Sequence, residues 1–420
     1  MDIEIQPMTE LSGTIRVPDS KSEAHRALIC AALCPGTTEM TIDGLSADIK
    51  ATIDCLRALG AEIDCVGTKV SVKGIVGVPE APVLNCRESG TTLRLLLPVA
   101  ATIAHNATFV GEGRLPERPI AEILEELDKN GCKSSSSSLP LTLSGGLRAG
   151  KFSLPGNVTS QFVSGLLIAL PILKGESVVE ITTPLESHGY VHMTLDILER
   201  FGVWMEDDAD RKFTISGGQT YTPFAGDLVC GDWSSAAFWL VADALGADIK
   251  LSGLDSLTYQ PDSAIRFIFD QFGTRIVEGE MIFCTHEKLY EAIIGLSQTP
   301  DLAPALAVLS CAAHGQTSFI GAGRLRIKES DRISAIVEML EALGGSIQEF
   351  DDAFVINGPV RLSGGVVDGK GDHRIVMAAA IAALFASGPV VIQGAEAVEK
   401  SYPRFFEDLK SVGGVYREVS

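Results

Sequence analysis

Aromatic residues are scarce in this sequence: Phe, Trp and Tyr make up 6% of its 420 residues, while hydrophobic residues as a whole reach 46%. Its cores must be built from Leu, Ile, Val and Ala, and its 42 glycines add many tight turns. Positive charge is in short supply as well. A net charge of −20 lacks the basic footprint that a phosphate backbone requires, which argues against nucleic acid as a partner. A local basic cleft in an acidic shell can still take small anions. Paired cysteines are missing too. The nine cysteines include no C-x-x-C, as in a reduced cytosolic protein, and Cys30 and Cys34 read as small apolar packing groups. The longest apolar stretch, Ile375 to Ile392, is interrupted by Ser387, Gly388 and Pro389. It predicts a buried helix, a turn and a strand, so no membrane span is expected. MDIEIQP lacks the basic n-region and apolar core of a secretory leader, and a cytoplasmic location is expected. His188 and His192 have the spacing of two metal ligands, but no third ligand stands near them in the sequence, and no metal is expected.

What the sequence holds in quantity is repetition. An amphipathic helix ending in glycine, followed by a short strand, recurs as DIKATIDCLRALGAEID, PIAEILEELDKNGCKSS, YVHMTLDILERFGVWME, AIRFIFDQFGTRIV, RISAIVEMLEALGGSIQ and RFFEDLKSVGGVYRE. The terminating glycines are Gly60, Gly131, Gly202, Gly273, Gly344 and Gly413, spaced by 71 residues except for a last step of 69. The position after a helix often needs φ > 0, which suits glycine. The apolar residues before it recur at three and four, the helical period. Each unit holds a second helix, beginning near Ser22, Gly90, Ser160, Ser234, Asp301 and His373. These run on almost wholly apolar, as in AAFWLVADALG and IVMAAAIAALFASG, which predicts burial on every side. Strands such as TTEMTIDG, ATFVGEG and QTSFIGAG follow.

The length suits two or three domains of about 150 residues. Short repeats usually stack as solenoids, but units this long, each with a fully buried helix, favour compact groups. Three units around one buried helical bundle, with sheets outside, make two domains with a seam near residue 230 in AGDLVCG. The run Ser134 to Ser138 reads as a solvated loop.

The starts of the buried helices point free backbone N–H groups outward, which favours anions. Around them lie DSKSEAHRA (19–27), RESGTTLR (87–94), GRLPERP (113–119), GRLRIKESDR (323–332), GDHR (371–374) and VEKSYPR (398–404). These segments carry 13 of the 34 Lys and Arg residues against 8 acids. A net positive set in an acidic chain predicts a pocket for negative charge. Two apparent nucleotide motifs are set aside as turns. GGVVDGKG (364–371) ends in Gly371 where a Ser or Thr would bind magnesium, and GAGRLR (321–326) lacks a third glycine. Taken alone, Asp301 in TPDLAPAL reads as a helix N-cap, and Glu329 as a surface charge.

In their order and spacing, DSKSEAHRAL, ESGTTLR, GRLPERP, TSQF, RIKESDR and GDHR resemble the 5-enolpyruvylshikimate-3-phosphate synthase family over essentially the whole chain. The resemblance implies an α/β fold, a two-domain inside-out α/β barrel of six βαβαββ units, three per domain, with the active site in the interdomain cleft. It implies domains of residues 14–230, on the shikimate 3-phosphate side, and of 1–13 with 231–420, carrying the catalytic Asp and Glu. The implied reaction moves the enolpyruvyl group of phosphoenolpyruvate to the 5-hydroxyl of shikimate 3-phosphate and releases phosphate, on the route to chorismate and the aromatic amino acids. By resemblance, Lys21, Ser22, Arg26, Ser160, Gln161, Ser187 and Lys328 hold shikimate 3-phosphate, with Thr159, Tyr190 and Asp301 beside it. Lys21, Gly90, Arg118, Gln161, Glu329, Arg332, Arg374 and Lys400 serve phosphoenolpyruvate and the inhibitor glyphosate. Asp301 is implied as the base, Glu329 as the acid, and Lys21 as an aid to proton transfer. Gly90 has its own physical reason: without a Cβ the backbone can approach a ligand closely.

No cofactor is implied, and a monomer is expected. Leu95 stands where several relatives carry proline, and Arg324 where some carry a substrate-contacting asparagine, so neither role is transferred. The main alternative is the sister enzyme acting on UDP-N-acetylglucosamine, whose active-site loop typically carries a cysteine. Residues 111–119, GEGRLPERP, have none. A non-catalytic anion-binding scaffold is a second alternative, but it would have no use for Asp301 and Glu329 among the cations.

Overall fold

Helices that are apolar on every side must lie inside, and helices with one apolar stripe must lie on a surface. The computed structural model, which describes every residue except Thr9, Ala225, Asp227 and Ser420, alternates the two kinds. Its α-helices are α1 (Lys21–Leu33), α2 (Ala47–Ala58), α3 (Gly90–Ile103), α4 (Ala121–Lys129), α5 (Ser160–Ala169), α6 (His188–Arg200), α7 (Trp233–Ala244), α8 (Ile265–Gln271), α9 (Ala303–Ser310), α10 (Arg332–Ala342), α11 (His373–Leu384) and α12 (Phe405–Ser411). The odd-numbered helices are buried nearly end to end. The even-numbered ones expose their charged side, as Asp54 and Arg57 do on α2. The run from Ile375 to Ile392 is the expected helix, turn and strand, ending in Val390–Gln393. Among the described residues, no helix is long and apolar enough to cross a membrane.

The repeated glycines stop the even-numbered helices by one mechanism. All six adopt positive φ, from 74° at Gly202 to 105° at Gly60. The amide of Gly60 reaches Arg57 O at 2.9 Å and that of Ala61 reaches Leu56 O at 3.0 Å. This nested pair satisfies carbonyls that the helix end leaves open. The same pair closes the helices at Gly202, Gly273, Gly344 and Gly413.

Five of the repeats contribute one small sheet each, and the fourth contributes two of two strands. In the second, Val83–Asn85 lies parallel to Asn106–Val110, then Leu141–Gly145 and Cys132–Ser134 follow antiparallel. The serine run occupies the turn between the last two. The third and fifth repeats copy this order. The sixth sheet is completed from the far end of the chain. There Asp2–Ile5 pairs with Val390–Gln393, setting Ile3 opposite Ile392, and also with Tyr416–Val419. The fourth borrows a strand as well, Ser12–Arg16 running parallel to Asp248–Ser252.

That second borrowed strand corrects a boundary. The chain divides into one compact unit of Met1–Asp19 with Gly231–Ser420 and another of Ser20–Cys230. The division expected near residue 14 therefore falls after Asp19, because the ladder from Ser12↔Asp248 to Arg16↔Ser252 ties residues 12–16 to the unit of residues 231–420. Two residues of the expected seam, Ala225 and Asp227, lie outside the described ones.

In the unit containing residues 231–420, α7, α9 and α11 pack pairwise against one another. In the Ser20–Cys230 unit, α3 packs against both α1 and α5. The approach of α3 to α5 is closest at Gly165, where a Cβ would stand 2.7 Å from Arg94 O and 2.8 Å from Pro98 Cγ. Backbone cannot yield as a flexible side chain can, so Gly165→Ala forces the two helices apart. The expected loss is about 1–3 kcal/mol, the usual range for overpacking a core. Urea unfolding checks it, and an unchanged midpoint would show that the helices are not closed on that glycine.

Candidate active site

A helix start leaves backbone N–H groups without partners, and a polar side chain just ahead of it usually accepts from one of them. Five of the buried helices are capped in this way, by Ser20, Ser89, Thr159, Asp232 and Asp372. The sixth, α9, grows out of a 3₁₀ turn, Pro300–Leu302, and has no side-chain cap. Asp301 lies in that turn. The N-cap that its local sequence suggests is not formed, and its carboxylate faces cations instead.

Those cations belong to the same unit and come from three segments. Arg332, the first residue of α10, donates from Nη1 to Asp301 Oδ1 at 2.8 Å. Arg374, in the first turn of α11, donates to Asp301 Oδ2 at 3.2 Å and to its backbone carbonyl at 3.3 Å. Lys328 Nζ lies 3.4 Å from Oδ1. Burial works against the charge of Asp301, but Arg374, Lys328 and Arg332 outweigh it and hold the carboxyl well below its usual range. Burial in turn lowers Lys328 to about 8, against the pull of Asp301. Glu329 is part of the same group, accepting from Arg332 Nη2 at 2.6 Å. Lys400 donates to the carbonyl of Gly371 at 2.6 Å, beside the start of α11.

Arg332 is only 1% exposed. Asp372, fully buried and unremarked in the sequence reading, supports it through Nε at 2.7 Å and Nη2 at 3.2 Å. Burial disfavours the charge of Arg332, yet Asp372, Glu329 and Asp301 together raise its pKa. The same Asp372 caps α11 and accepts from Ser330 Oγ at 3.0 Å. One carboxylate thus fixes both arginines, Arg332 through its guanidinium and Arg374 through its backbone amide.

The Ser20–Cys230 unit gathers the other expected residues at the starts of α1, α3 and α5. Lys21 pairs with Asp48 at 2.9 Å. Gly90 begins α3, and a Cβ there would stand 2.6 Å from Arg118 Nη1 and 2.7 Å from Arg94 Nη1. Gln161 accepts from Arg94 Nη1 at 3.1 Å and donates to Thr91 Oγ1 at 2.8 Å. Arg94 also reaches Pro119 O at 3.3 Å, tying the GRLPERP loop to α3. Thr159 caps α5 through the amide of Gln161, and Ser160 is buried next to it. Ser187, buried and at φ 54°, precedes α6. The ring of Tyr190 lies 5.9 Å from Arg26 Cζ.

Arg26 is tied to its own unit. It is 1% exposed and donates to Thr194 Oγ1, Ser22 O, Ser164 Oγ and Tyr190 O, at 2.7 to 3.2 Å. Most of its five N–H groups meet these acceptors, which link it to Ser22 and Tyr190. Ser22 lies half-buried in the first turn of α1. Beneath these residues a buried polar chain runs from His25 Nδ1 to Thr52 at 2.7 Å, on to Thr92 at 2.7 Å, and to the capping Ser89 at 2.8 Å. Burial and the charges of Lys21 and Arg26 push the His25 pKa well below its usual value.

Sequence reasoning passed over Asp48, Arg94, Asp372 and Asp262. Of these, Arg94 and Asp372 stood inside the motifs, while Asp48 and Asp262 gave no local signal. Asp262 is 1% exposed and accepts from Ser234 Oγ, with its Oδ1 unpaired. Burial, then repulsion from Asp301, raises its pKa from 3.8 to about 7 in spite of Arg374. A carboxyl raised on folding stays protonated in the native state where the unfolded chain has already ionised it. Its contribution to stability therefore declines as pH rises from about 4 to about 7. Asp262→Asn removes that decline, so the stability of the variant relative to the parent should climb between pH 5 and pH 8. Denaturation midpoints measured across the range check this, and a constant difference would contradict it.

The family model described as EPSP synthase (3-phosphoshikimate 1-carboxyvinyltransferase) matches residues 5–409. The 3-phosphoshikimate 1-carboxyvinyltransferase of Clostridium kluyveri is 44% identical over 422 residues, covering 100% of this chain and 99% of that one. The protein of that name from Clostridium acetobutylicum is 41% identical over 430 residues, with the same coverage. A solved EPSP synthase from Acinetobacter baumannii superposes with a TM-score of 0.82 at 27% identity, covering 99% of this chain and 100% of that one. The enolpyruvyl transferase NikO of Streptomyces tendae shares the fold, with a TM-score of 0.80 at 18% identity over 100% of this chain and 98% of that one. Matched by the family model over residues 5–409 and by relatives along its whole length, the chain belongs to the EPSP synthase family.

Proposed function

We propose that Asp301, Glu329 and Lys21 carry the proton transfers of the family reaction in this chain. That reaction moves the enolpyruvyl group of phosphoenolpyruvate to the 5-hydroxyl of shikimate 3-phosphate and releases phosphate. The observation that supports the assignment most directly is the shared guanidinium of Arg332, bonded to Asp301 at 2.8 Å and to Glu329 at 2.6 Å. A reaction that needs one base and one acid finds two carboxylates there with different surroundings.

In the addition step the 5-hydroxyl oxygen bonds to C2 of phosphoenolpyruvate while a proton is added to C3. Asp301 takes the hydroxyl proton and Glu329 supplies the one for C3. In the elimination step Glu329, now a carboxylate, takes a proton back from C3 to restore the double bond, while the bond from C2 to the phosphate oxygen breaks and the phosphate leaves with the proton that Asp301 had taken. Lys21 offsets the charge that develops. A carboxylate surrounded by three cations is a weak base, and the substrates remedy this. Their carboxylates and phosphates occupy Arg332, Arg374 and Lys328, which frees Asp301 to accept a proton. Arginine suits this exchange because its fork holds two oxygens at once.

The remaining roles rest on the resemblance and on placement. Ser22, Ser160, Gln161, Ser187 and Lys328 hold shikimate 3-phosphate, with Thr159 and Tyr190 beside it and Arg26 positioning them. Gly90, Arg118, Arg332, Arg374 and Lys400 receive phosphoenolpyruvate or glyphosate. No cofactor takes part, and the chain acts as a cytoplasmic monomer. The absence of cysteine from residues 111–119 favours this acceptor over UDP-N-acetylglucosamine. Phosphate release from phosphoenolpyruvate should occur with shikimate 3-phosphate and not with the sugar nucleotide; release with the latter would reverse the assignment.

Asp301→Ala should leave shikimate 3-phosphate binding nearly intact and lower turnover about 10²- to 10⁴-fold, the usual worth of a general base. Retention of most turnover in steady-state assays would remove Asp301 from the base role. Gly90→Ala should act through Arg118, whose guanidinium must give way to the added carbon. Glyphosate inhibition should weaken by about tenfold, equivalent to 1.4 kcal/mol, and the KM for phosphoenolpyruvate should rise with it. Superimposable inhibition curves would show that the arginine is not displaced.

A further inference from the structure

His188 and His192 stand one turn apart on α6, and a metal site there needs a third ligand beside them. The fold supplies one. Asp210, in the turn between Glu206–Asp208 and Lys212–Ile215, brings its carboxylate against both rings. Asp210 Oδ1 lies 3.0 Å from His192 Nε2, and Oδ2 lies 3.8 Å from His188 Nδ1. Potential ligand atoms of all three residues lie within 4.8 Å of one another, and no other such trio of His, Cys, Asp or Glu occurs among the described residues. The two rings meet edge to face at 89°, their centroids 5.5 Å apart.

One detail argues that this is more than an ordinary ion pair. Asp210 Oδ1 is buried and makes no hydrogen bond, although His192 Nε2 is only 3.0 Å away. The nitrogen and oxygen approach each other without the alignment that an N–H···O bond requires. Three potential ligand atoms gathered this closely can share a cation placed among them. A tetrahedral zinc ion takes nitrogen at about 2.0–2.1 Å and carboxylate oxygen at about 2.0–2.2 Å, which puts neighbouring ligand atoms roughly 3.3–3.5 Å apart. The observed 3.0 and 3.8 Å straddle that range, so small side-chain rotations complete the geometry.

We propose that His188, His192 and Asp210 form a binding site for a borderline divalent transition metal ion, zinc being the best match. Two imidazole nitrogens and a carboxylate oxygen favour zinc, cobalt or nickel over magnesium or calcium, which prefer oxygen. The side chains are 50%, 32% and 28% exposed, so the ion has a path from solvent and a fourth position open to water. The same helix carries Tyr190, and Ser187 precedes it. An ion held here ties the first turns of α6 to the turn at Asp210 and stiffens the stretch around Ser187 and Tyr190. The site depends on geometry within one unit and not on the catalytic assignment.

The test is calorimetric titration of the full chain, stripped with chelator and desalted, with zinc chloride at neutral pH. A single saturable site is expected, and magnesium chloride should give no comparable heat. Loss of even an outer partner weakens metal affinity about 10- to 100-fold, so His192→Ala and Asp210→Asn should each weaken binding by at least that much. Cys65 is exposed and can bind zinc by itself, which makes the difference between parent and variants the deciding quantity. A parent that binds no zinc, or variants that bind it as tightly as the parent, would overturn the proposal. A second readout uses thermal unfolding: zinc should raise the melting temperature of the parent and leave that of Asp210→Asn unchanged. An equal rise in both would place the ion elsewhere.

Discussion

Burying an arginine is costly unless its whole fork is paired, and Arg332 is 1% exposed. It reaches Asp372, Asp301 and Glu329, each at 2.6 to 2.8 Å in its shortest bond. The rest of the acid–base group depends on this arrangement. Asp372 alone would hold the guanidinium but would leave Asp301 and Glu329 without a common reference. Asp301 alone would sit in a 3₁₀ turn whose backbone does not direct its side chain. A lysine at the same place could not serve three carboxylates in fixed directions, because its charge is a point and its donors rotate.

The other unit reaches order by a similar route with different partners. Arg94 and Arg26 are about as buried as Arg332, yet they donate to neutral oxygens: the side chains of Gln161, Thr194 and Ser164 and the backbone carbonyls of Pro119, Ser22 and Tyr190. Neutral acceptors leave much of the positive charge in place. Charge held in this way favours phosphate and carboxylate, although Lys21 of the same unit does pair with an acid, Asp48. Arg332, by contrast, is held by three carboxylates.

How far the sequence disclosed this follows from the range of each interaction. The terminal glycines and the all-apolar helices were legible because each signal lies within a single turn or helix, and all six glycines do adopt positive φ. The boundary near residue 14 was misplaced because the strand Ser12–Arg16 has its partner at Asp248–Ser252, and nothing in five residues names a partner so distant. Asp48, Asp262 and Asp210 were missed for the same reason: each matters only through a residue from another segment. Arg26 illustrates the converse. Its motif identified it as part of the site, but only the three-dimensional arrangement shows its donors committed to Thr194, Ser164 and Tyr190.

Asp301 shows why local reasoning fails where function is densest. Asp232 and Asp372 each precede a buried helix and cap it, and an aspartate ahead of α9 invites the same reading. The chain inserts the turn Pro300–Leu302 at that point, which carries the carboxylate away from the helix amides. A capping carboxylate is a satisfied acceptor, poorly placed to take a proton from a substrate. Releasing it from the cap forgoes about 0.5–2 kcal/mol of helix stability. The bonds to Arg332, Arg374 and Lys328 replace what the amides would have given. They differ from a cap in one respect: an incoming anion can compete for the same cations. The repeat supplies six similar helix starts, and the one without a cap is the one whose aspartate is left available for chemistry.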